Sequence, residues 1–261
     1  MIKRVLLIAS LAGLLFGCGG GLQRDGAPAG YPDLSHTPDA VPRSEPYNKG
    51  NMRTYTVLGR TYHPLRSAQG YVQQGIASWY GSKFHGNATA NGERYDMYAM
   101  SAAHRTLPLP SYVQVRNLEN GHTAVVRVND RGPFHDNRII DLSYAAASKL
   151  GMLGKGTALV EIRAIDPRHP EQVIAQKPKP LDHAPRIYIQ VGAYGNQDNA
   201  RRMADRLSRE LQRNIRIDSA ESTRGRVHRV QIGPLASVEI ADQVTASLER
   251  LHILDAQVLL R

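Results

Sequence analysis

Residues 112–142 read YVQVRNLENGHTAVVRVNDRGPFHDNRIIDL. Tyr112 to Leu118 alternates apolar and polar side chains, and so does Thr123 to Val128. Between the two runs lies Glu119-Asn120-Gly121-His122. Asn-Gly there is a strong hairpin signal, because a tight two-residue turn needs positive φ at both central positions. Asp130 ends the second run and opens a Gly132-Pro133 turn, and Arg138 to Leu142 predicts another short strand. Ser143 is placed to cap a helix through Leu150, with Gly151 as its stop. Upstream, Ile76, Ser78 and Tyr80 alternate with Ala77 and Trp79; downstream, Thr157 to Ile165 predicts a last strand. Short strands with one brief helix, spread over 73–165, predict a β-barrel.

The whole chain has 261 residues, a length for one or two domains. An apolar content of 41% supplies modest cores and excludes a multi-span membrane protein. The single cysteine, Cys18, excludes an internal disulfide and a Cys-rich metal site. No metal or other cofactor is expected. His85, His104, His122 and His135 are scattered, and no phosphate loop or Gly-x-Ser-x-Gly elbow occurs. The net charge of +10 is spread thinly along the chain. Nucleic-acid binders concentrate such charge on one face or tail, so nucleic acid is not the expected partner.

Residues 1–17, MIKRVLLIASLAGLLFG, set Lys3 and Arg4 before an apolar run from Val5 to Phe16. The run is too short to span a bilayer and has the layout of a secretory signal. It ends in Leu15-Phe16-Gly17-Cys18, which resembles a lipobox, although Phe16 is bulkier than the usual pattern. That resemblance implies cleavage before Cys18 and acylation of its thiol. Each buried CH2 of an acyl chain contributes roughly 0.8 kcal/mol to membrane anchoring. Gly19 in place of Asp implies transfer to the outer membrane, on its periplasmic face.

Residues 18–72 are expected to form a lipid-anchored, flexible linker. Eleven of the 32 residues from Gly19 to Gly50 are Gly or Pro, and no apolar period survives. The stretch TYTVLGRTYHPL, 54–65, alternates weakly and is expected to lie along the next domain. Residues 166–184 carry four prolines and predict an extended second linker.

Within 73–165 three polar segments break the periodicity: Gly86 to Glu93, Ala102-Ala103-His104, and Asn129 to Phe134. Each has a structural reading. Asp130 can bond backbone N–H groups at its turn, Glu93 can be solvated, and His104 can be a core histidine. Three turn-borne polar groups on one small scaffold mark Glu93, His104 and Asp130 as candidate site residues.

The strings ASWYGSKFHGNATANGERYD (77–96), AMSAAHRTLPLPSYVQVRNLENG (99–121) and VVRVNDRGPFHDNRIIDLSYAAASKLG (125–151) closely resemble the rare lipoprotein A family. The resemblance implies a six-stranded double-psi β-barrel. It also implies a lytic transglycosylase that cleaves the MurNAc–GlcNAc bond of peptidoglycan without water and leaves a 1,6-anhydroMurNAc end. In that chemistry Asp130 is the acid that protonates the leaving oxygen and the base that then takes the C6 hydroxyl proton. Glu93 stabilises oxocarbenium-like charge or positions the sugar, and His104 orients one of the two. Two carboxylates also suit an ordinary hydrolase. A further alternative is a non-catalytic, expansin-like binder at the septum. Trp79 and Tyr80 are candidate sugar-stacking platforms, with barrel core as the other reading. Asp141 is expected to be a structural partner of Arg131 or Arg138.

Residues 185–261 predict an α/β module. Ile187 to Tyr194 alternates as a strand, and Asn196 caps a helix striped by Ala200, Met203, Ala204, Leu207 and Leu211. Ile215 to Ile217 and Val227 to Pro234 are strands about a turn at 223–226. Ser237 caps a helix through Leu251, and Ala256 to Leu260 closes the set. The order βαββαβ is ferredoxin-like. RNA readers of that topology place adjacent aromatics on the middle strands. This chain offers Gln190, Tyr194, Arg229 and Gln231 instead. YIQVGAYGNQDNARRMADRL (188–207) and HRVQIGPL (228–235) resemble the sporulation-related repeat (SPOR) family. That implies binding to peptidoglycan glycan strands lacking stem peptides, which gather at the division septum. Gln190, Tyr194, Arg224, Arg229 and Gln231 are the candidate surface. A weak binding module on a flexible linker would hold the barrel near its polymer and help daughter cells separate.

Overall fold

The alternating runs pair into strands in the computed structural model, which describes residues 25–135, 137–174, 185–223 and 225–261. Cys18, the signal-like segment and Arg224 lie outside the described residues. Strands β1 (Tyr55–Val57) and β2 (Arg60–Tyr62) form a hairpin. The barrel then follows: β3 (Val72–Tyr80), β4 (Ser101–Ala103), β5 (Ser111–Asn117), β6 (Thr123–Asp130), β7 (Arg138–Ser143) and β8 (Thr157–Ala164). They close in the order β3-β7-β4-β6-β5-β8. The pairs β3/β7 and β4/β6 are parallel, while the β5/β6 hairpin is antiparallel about the Asn120-Gly121 turn. Closure leaves no strand edge unpaired.

Alternate side chains fill the barrel: Val113 and Val115 from β5, Val126 and Val128 from β6, Ile140 and Leu142 from β7. Helix α1 (Tyr144–Lys149) follows β7 directly, and the Ser143 hydroxyl accepts the Ala146 N–H at 3.2 Å. Ala145, Ala146 and Ala147 are wholly buried, small enough to let the helix sit tight on the strands. Ser101–Ala103 corrects the expectation of a non-periodic loop at 102–104. It is a central strand whose three small residues are all buried between β6 and β7. Three residues buried throughout carry no alternation to read.

The segment before the barrel is likewise not a free linker from Asp25 to Asn48. Ala40 N–H bonds the Val125 carbonyl at 3.0 Å, Asp39 accepts the Val125 N–H at 3.0 Å, and Asn48 N–H bonds Leu109 at 2.8 Å. Asp25 accepts the N–H groups of Gly81 and Lys83, and the Tyr144 hydroxyl bonds the Pro32 carbonyl at 3.0 Å. Leu34 and Ala40 pack on the barrel core. Prolines suit such a strap, since they restrict the unfolded chain and the strap asks few N–H donors of itself.

After the barrel comes a one-turn helix, α2 (Glu171–Ile174), within the linker expected to be extended throughout. The second domain has β9 (Ile187–Tyr194), α3 (Gln197–Leu211), β10 (Ile215–Ser222), β11 (Gly225–Leu235), α4 (Val238–Arg250) and β12 (Gln257–Leu260). Its antiparallel sheet runs β10-β11-β9-β12, the ferredoxin-like order, with Asn196 and Ser237 as helix caps. This domain does not hang free of the barrel. Arg138 makes a two-armed ion pair with Asp242 of α4 at 2.9 and 2.8 Å. Asn137 donates to Asp242 at 2.8 Å and accepts from the Thr245 hydroxyl at 2.6 Å. Ile76 and Leu159 of the barrel join the apolar cluster of the second domain.

Candidate active site

The site is built where the Gly86–Glu93 loop folds over the end of β6. Thr89 N–H bonds the Glu93 carbonyl at 2.7 Å and Gly92 N–H bonds Thr89 at 2.9 Å, closing a turn with Gly92 at φ +88°. Asn91 N–H ties that turn to the Asn129 carbonyl at 3.1 Å. Ala90 N–H donates to the Asp130 carboxylate at 2.8 Å. One turn therefore carries Glu93 and grips Asp130, 37 positions further along the chain. Gly132, at φ +142°, then turns the chain off the barrel directly after Asp130, a conformation that favours glycine.

The two carboxylates stand in opposite environments. Burial pushes the Asp130 carboxyl above its ordinary range, against the pull of the Ala90 and Arg131 N–H bonds and the Arg131 charge. Glu93 also feels burial, but its hydrogen bonds from Arg127 and Asn129 outweigh it and hold its carboxyl low. Arg127 Nη1 reaches both Glu93 oxygens at 2.6 and 2.5 Å, Asn129 Nδ2 donates at 2.9 Å, and Asn91 Nδ2 donates at 2.9 Å. A pair of titratable groups pushed apart in this way can divide the roles of proton donor and fixed negative charge.

His104 lies elsewhere in the same neighbourhood. Its ring is buried, which pushes its pKa down to about 3, with Arg105 and Arg131 adding to the effect. Nδ1 accepts the N–H groups of Thr106 and Leu107 at 3.1 and 2.9 Å, so Nε2 carries the proton toward the Tyr71 hydroxyl at 3.1 Å. What His104 gives Asp130 is a backbone bond, N–H to carbonyl at 3.0 Å. The expectation that its ring orients a carboxylate is corrected: the ring's hydrogen bonds go to Tyr71 and to its own turn. The structure thus ties Glu93 and Asp130 to one turn and directs the imidazole to Tyr71.

Two further expectations need correction, those for Tyr80 and Asp141, while Trp79 is half-buried. Tyr80 is 9% exposed and stacks on Tyr95 at 4.0 Å, so it is buried in an apolar cluster beside the barrel core and is no platform. Trp79 packs edge-on against Tyr144 at 5.7 Å in the same apolar cluster. Asp141 is bonded by the Ser78 hydroxyl, whereas Arg138 turns to Asp242 and Arg131 donates to the carbonyls of His104, Leu107 and Asn51. Asp141 pairs with Ala103 on the side opposite Asp130, and burial raises its carboxyl too. The half-buried aromatics beside Asp130 are Tyr55, Tyr62 and Phe134, with ring centres 5.3 to 6.4 Å apart.

Sequence reasoning passed over Arg127, and took Asn129 and Asn91 only as members of polar segments with no role of their own. The one signal for Arg127 was a cation alternating out of Val125–Val128, which reads equally as a solvated strand face.

On the second domain, Gln190 and Arg229 are half-buried, and the Tyr194 ring stands over Gly192. Gln231 is wholly buried, which corrects its place as an exposed contact. Its Oε1 accepts from Arg216 at 2.9 and 3.1 Å, and the Arg216 guanidinium lies 4.1 Å over the Tyr188 ring. Arg216 and Tyr188 were missed because each sits in a run read only for its alternation.

Two family profiles match the chain. One, described as lytic transglycolase, covers residues 72–162, and the SPOR domain covers 184–259. The endolytic peptidoglycan transglycosylase RlpA of Pseudomonas aeruginosa is 41% identical over 284 residues, 88% of this chain and 82% of that protein. Its namesake in Vibrio cholerae is 42% identical over 244 residues, 92% and 90% of the two chains. Among solved structures, the RlpA SPOR domain of Pseudomonas aeruginosa is 26% identical over 28% of this chain and 96% of that one, with a TM-score of 0.27. Identity and coverage at this level over both domains mean that the chain belongs to the RlpA family of endolytic peptidoglycan transglycosylases.

Proposed function

We propose that this chain is a peptidoglycan lytic transglycosylase in which Asp130 is the acid/base and Glu93 the fixed charge. Protonated Asp130 gives its proton to the glycosidic oxygen as the bond to the MurNAc anomeric carbon breaks. Positive charge then develops on that sugar, and ionised Glu93 stabilises it. The C6 hydroxyl of the same sugar attacks the anomeric carbon and loses its proton to the Asp130 carboxylate. The ring closes to the 1,6-anhydro product, water takes no part, and Asp130 is again protonated. The observation that carries this assignment is the pair of unlike environments about one turn: half-buried Asp130 is held only by backbone N–H groups and its carboxyl is raised, while Glu93 is held by Arg127, Asn129 and Asn91 and is lowered.

The SPOR domain supports action on septal peptidoglycan, and the preferred substrate in this reading is glycan without stem peptides. Acylated Cys18 would hold the enzyme at the periplasmic face of the outer membrane. The docked second domain then presents its glycan face at a fixed distance from the barrel.

The test uses the full chain purified in detergent, incubated with amidase-treated sacculi, with released fragments read by mass spectrometry. Fragments ending in 1,6-anhydroMurNAc, absent with Asp130→Asn, support the proposal. Fragments heavier by one water would make the enzyme a hydrolase. Sediment binding with no release would make it a septal glycan binder. Palmitate incorporation that survives Cys18→Ser would overturn the anchor.

A further inference from the structure

We infer that Glu45, carried by the strap before the barrel, is a positioning residue of the active site that acts through Arg127. The inference rests on the role given above to Glu93. Arg127 has a carboxylate on each edge. Its Nη1 serves Glu93, while Nη2 and Nε reach Glu45 at 2.8 and 3.3 Å. Glu45 is fixed in turn by the Tyr112 hydroxyl, which donates at 2.6 Å. The strap is pinned on both sides of it, at Ala40 by Val125 and at Asn48 by Leu109. Strap and barrel line an open cleft of about 590 Å³, with Val41, Arg43 and Glu45 from the strap and Glu93, Tyr112 and Arg127 from the barrel domain.

The arrangement has an electrostatic consequence that one pair alone would lack. Arg127 with Glu93 would present no net charge to a sugar. Adding Glu45 brings the bonded triad of Arg127, Glu93 and Glu45 to minus one, with Arg43 exposed at the rim of the cleft and outside the triad's ion pairs. The guanidinium still fixes the Glu93 carboxylate, but its positive charge is offset from behind. Net negative charge is what an oxocarbenium-like transition state needs, and the neutral ground-state sugar gains little from it. Glu45 therefore serves the rate more than the binding of glycan.

The test is steady-state kinetics of the full chain in detergent on soluble glycan strands. Glu45→Gln, Glu45→Asp, Arg127→Gln, the Glu45→Gln/Arg127→Gln pair and Glu93→Gln are compared with the parent, with thermal unfolding of each. Glu45→Gln keeps the shape and removes the charge. It is expected to lower kcat by about tenfold with KM unchanged, and Glu45→Asp to recover most of the loss. In the Arg127→Gln background the same change is expected to do little further, because the group it acts through is gone. A parental kcat in Glu45→Gln, failure of Glu45→Asp to rescue, or full additivity with Arg127→Gln would each overturn the inference. Glu93→Gln separates the two levels. If it retains parental kcat, the assignment of Glu93 fails; if it is inactive while Glu45→Gln is normal, only the role of Glu45 fails.

Discussion

Arg127 grips Glu93 through Nη1 at 2.5 and 2.6 Å, whereas Asp130, anchored by the same turn, is held by the backbone N–H groups of Ala90 and Arg131. Removing each carboxylate should therefore fail differently. Asp130→Asn cannot exchange a proton and is expected to lose about 10²- to 10⁴-fold in kcat. Glu93→Gln leaves proton transfer intact and removes charge stabilisation, so its loss is expected near 10²-fold. Single-turnover release of anhydro-ended fragments measures both. A smaller loss in Asp130→Asn than in Glu93→Gln would argue against divided roles.

The same environments predict opposite effects on stability. Asp130 has a raised carboxyl, so the folded chain binds its proton more tightly than the unfolded chain. Stability linked to it is full at low pH and is lost as pH rises through the carboxylate range. Glu93 has a lowered carboxyl, so its contribution is present above that range and is lost as pH falls. At neutral pH, Asp130→Asn is expected to raise Tm, since the amide oxygen can still accept both N–H bonds, and Glu93→Gln to lower it. Both differences should shrink in acid. Tm shifts of the same sign at neutral pH would contradict the two environments.

Much of the fold can be read from local pattern because local physics makes it. Gly121, at φ +79°, turns a five-residue connection in place of the tighter two-residue turn, the runs about it alternate, and Ser143 caps α1, so β5, β6, β7 and α1 follow from neighbours in sequence. The strap was misread for a physical reason. Its order comes from groups far away in the chain, such as Val125 to Asp39 and Arg127 to Glu45, while its composition speaks only of absent helix and strand. The site divides along the same line. Glu93 and Asp130 stand at turns that interrupt a pattern. Arg127, Asn129 and Glu45 become visible only once β6, the turn and the strap meet.

The contact between the domains is also long-range, and it is open to a direct test. Arg138 is buried and its partner Asp242 is the acceptor for both Arg138 and Asn137. Asp242→Ala strands a buried guanidinium, a change that costs about 3–5 kcal/mol when the lost partner is itself fully buried. Asp242 is one-third exposed, so about 1–3 kcal/mol is the expected cost here. Calorimetry of the variant should show the transitions of barrel and second domain moving apart. A single transition at the parental Tm would mean that the ion pair contributes nothing to docking.

On the open face of the second domain, Arg216 covers two groups at once. It satisfies the Gln231 amide oxygen and lies over the Tyr188 ring. Gln231 is wholly buried beneath it, so glycan meets Arg216 before it meets Gln231. Arg216→Ala removes the first contact and leaves a buried acceptor without its partner. Sedimentation with peptide-free sacculi is expected to show binding weakened by about tenfold, the scale of one charge-assisted contact. Turnover of short soluble strands by the barrel is expected to be unchanged, because Arg216 touches no residue of the barrel site. Gln190→Ala should weaken sedimentation less, since Gln190 meets Gln231 only at 3.5 Å. Undiminished sedimentation of Arg216→Ala would place the glycan contact on some other face of the domain.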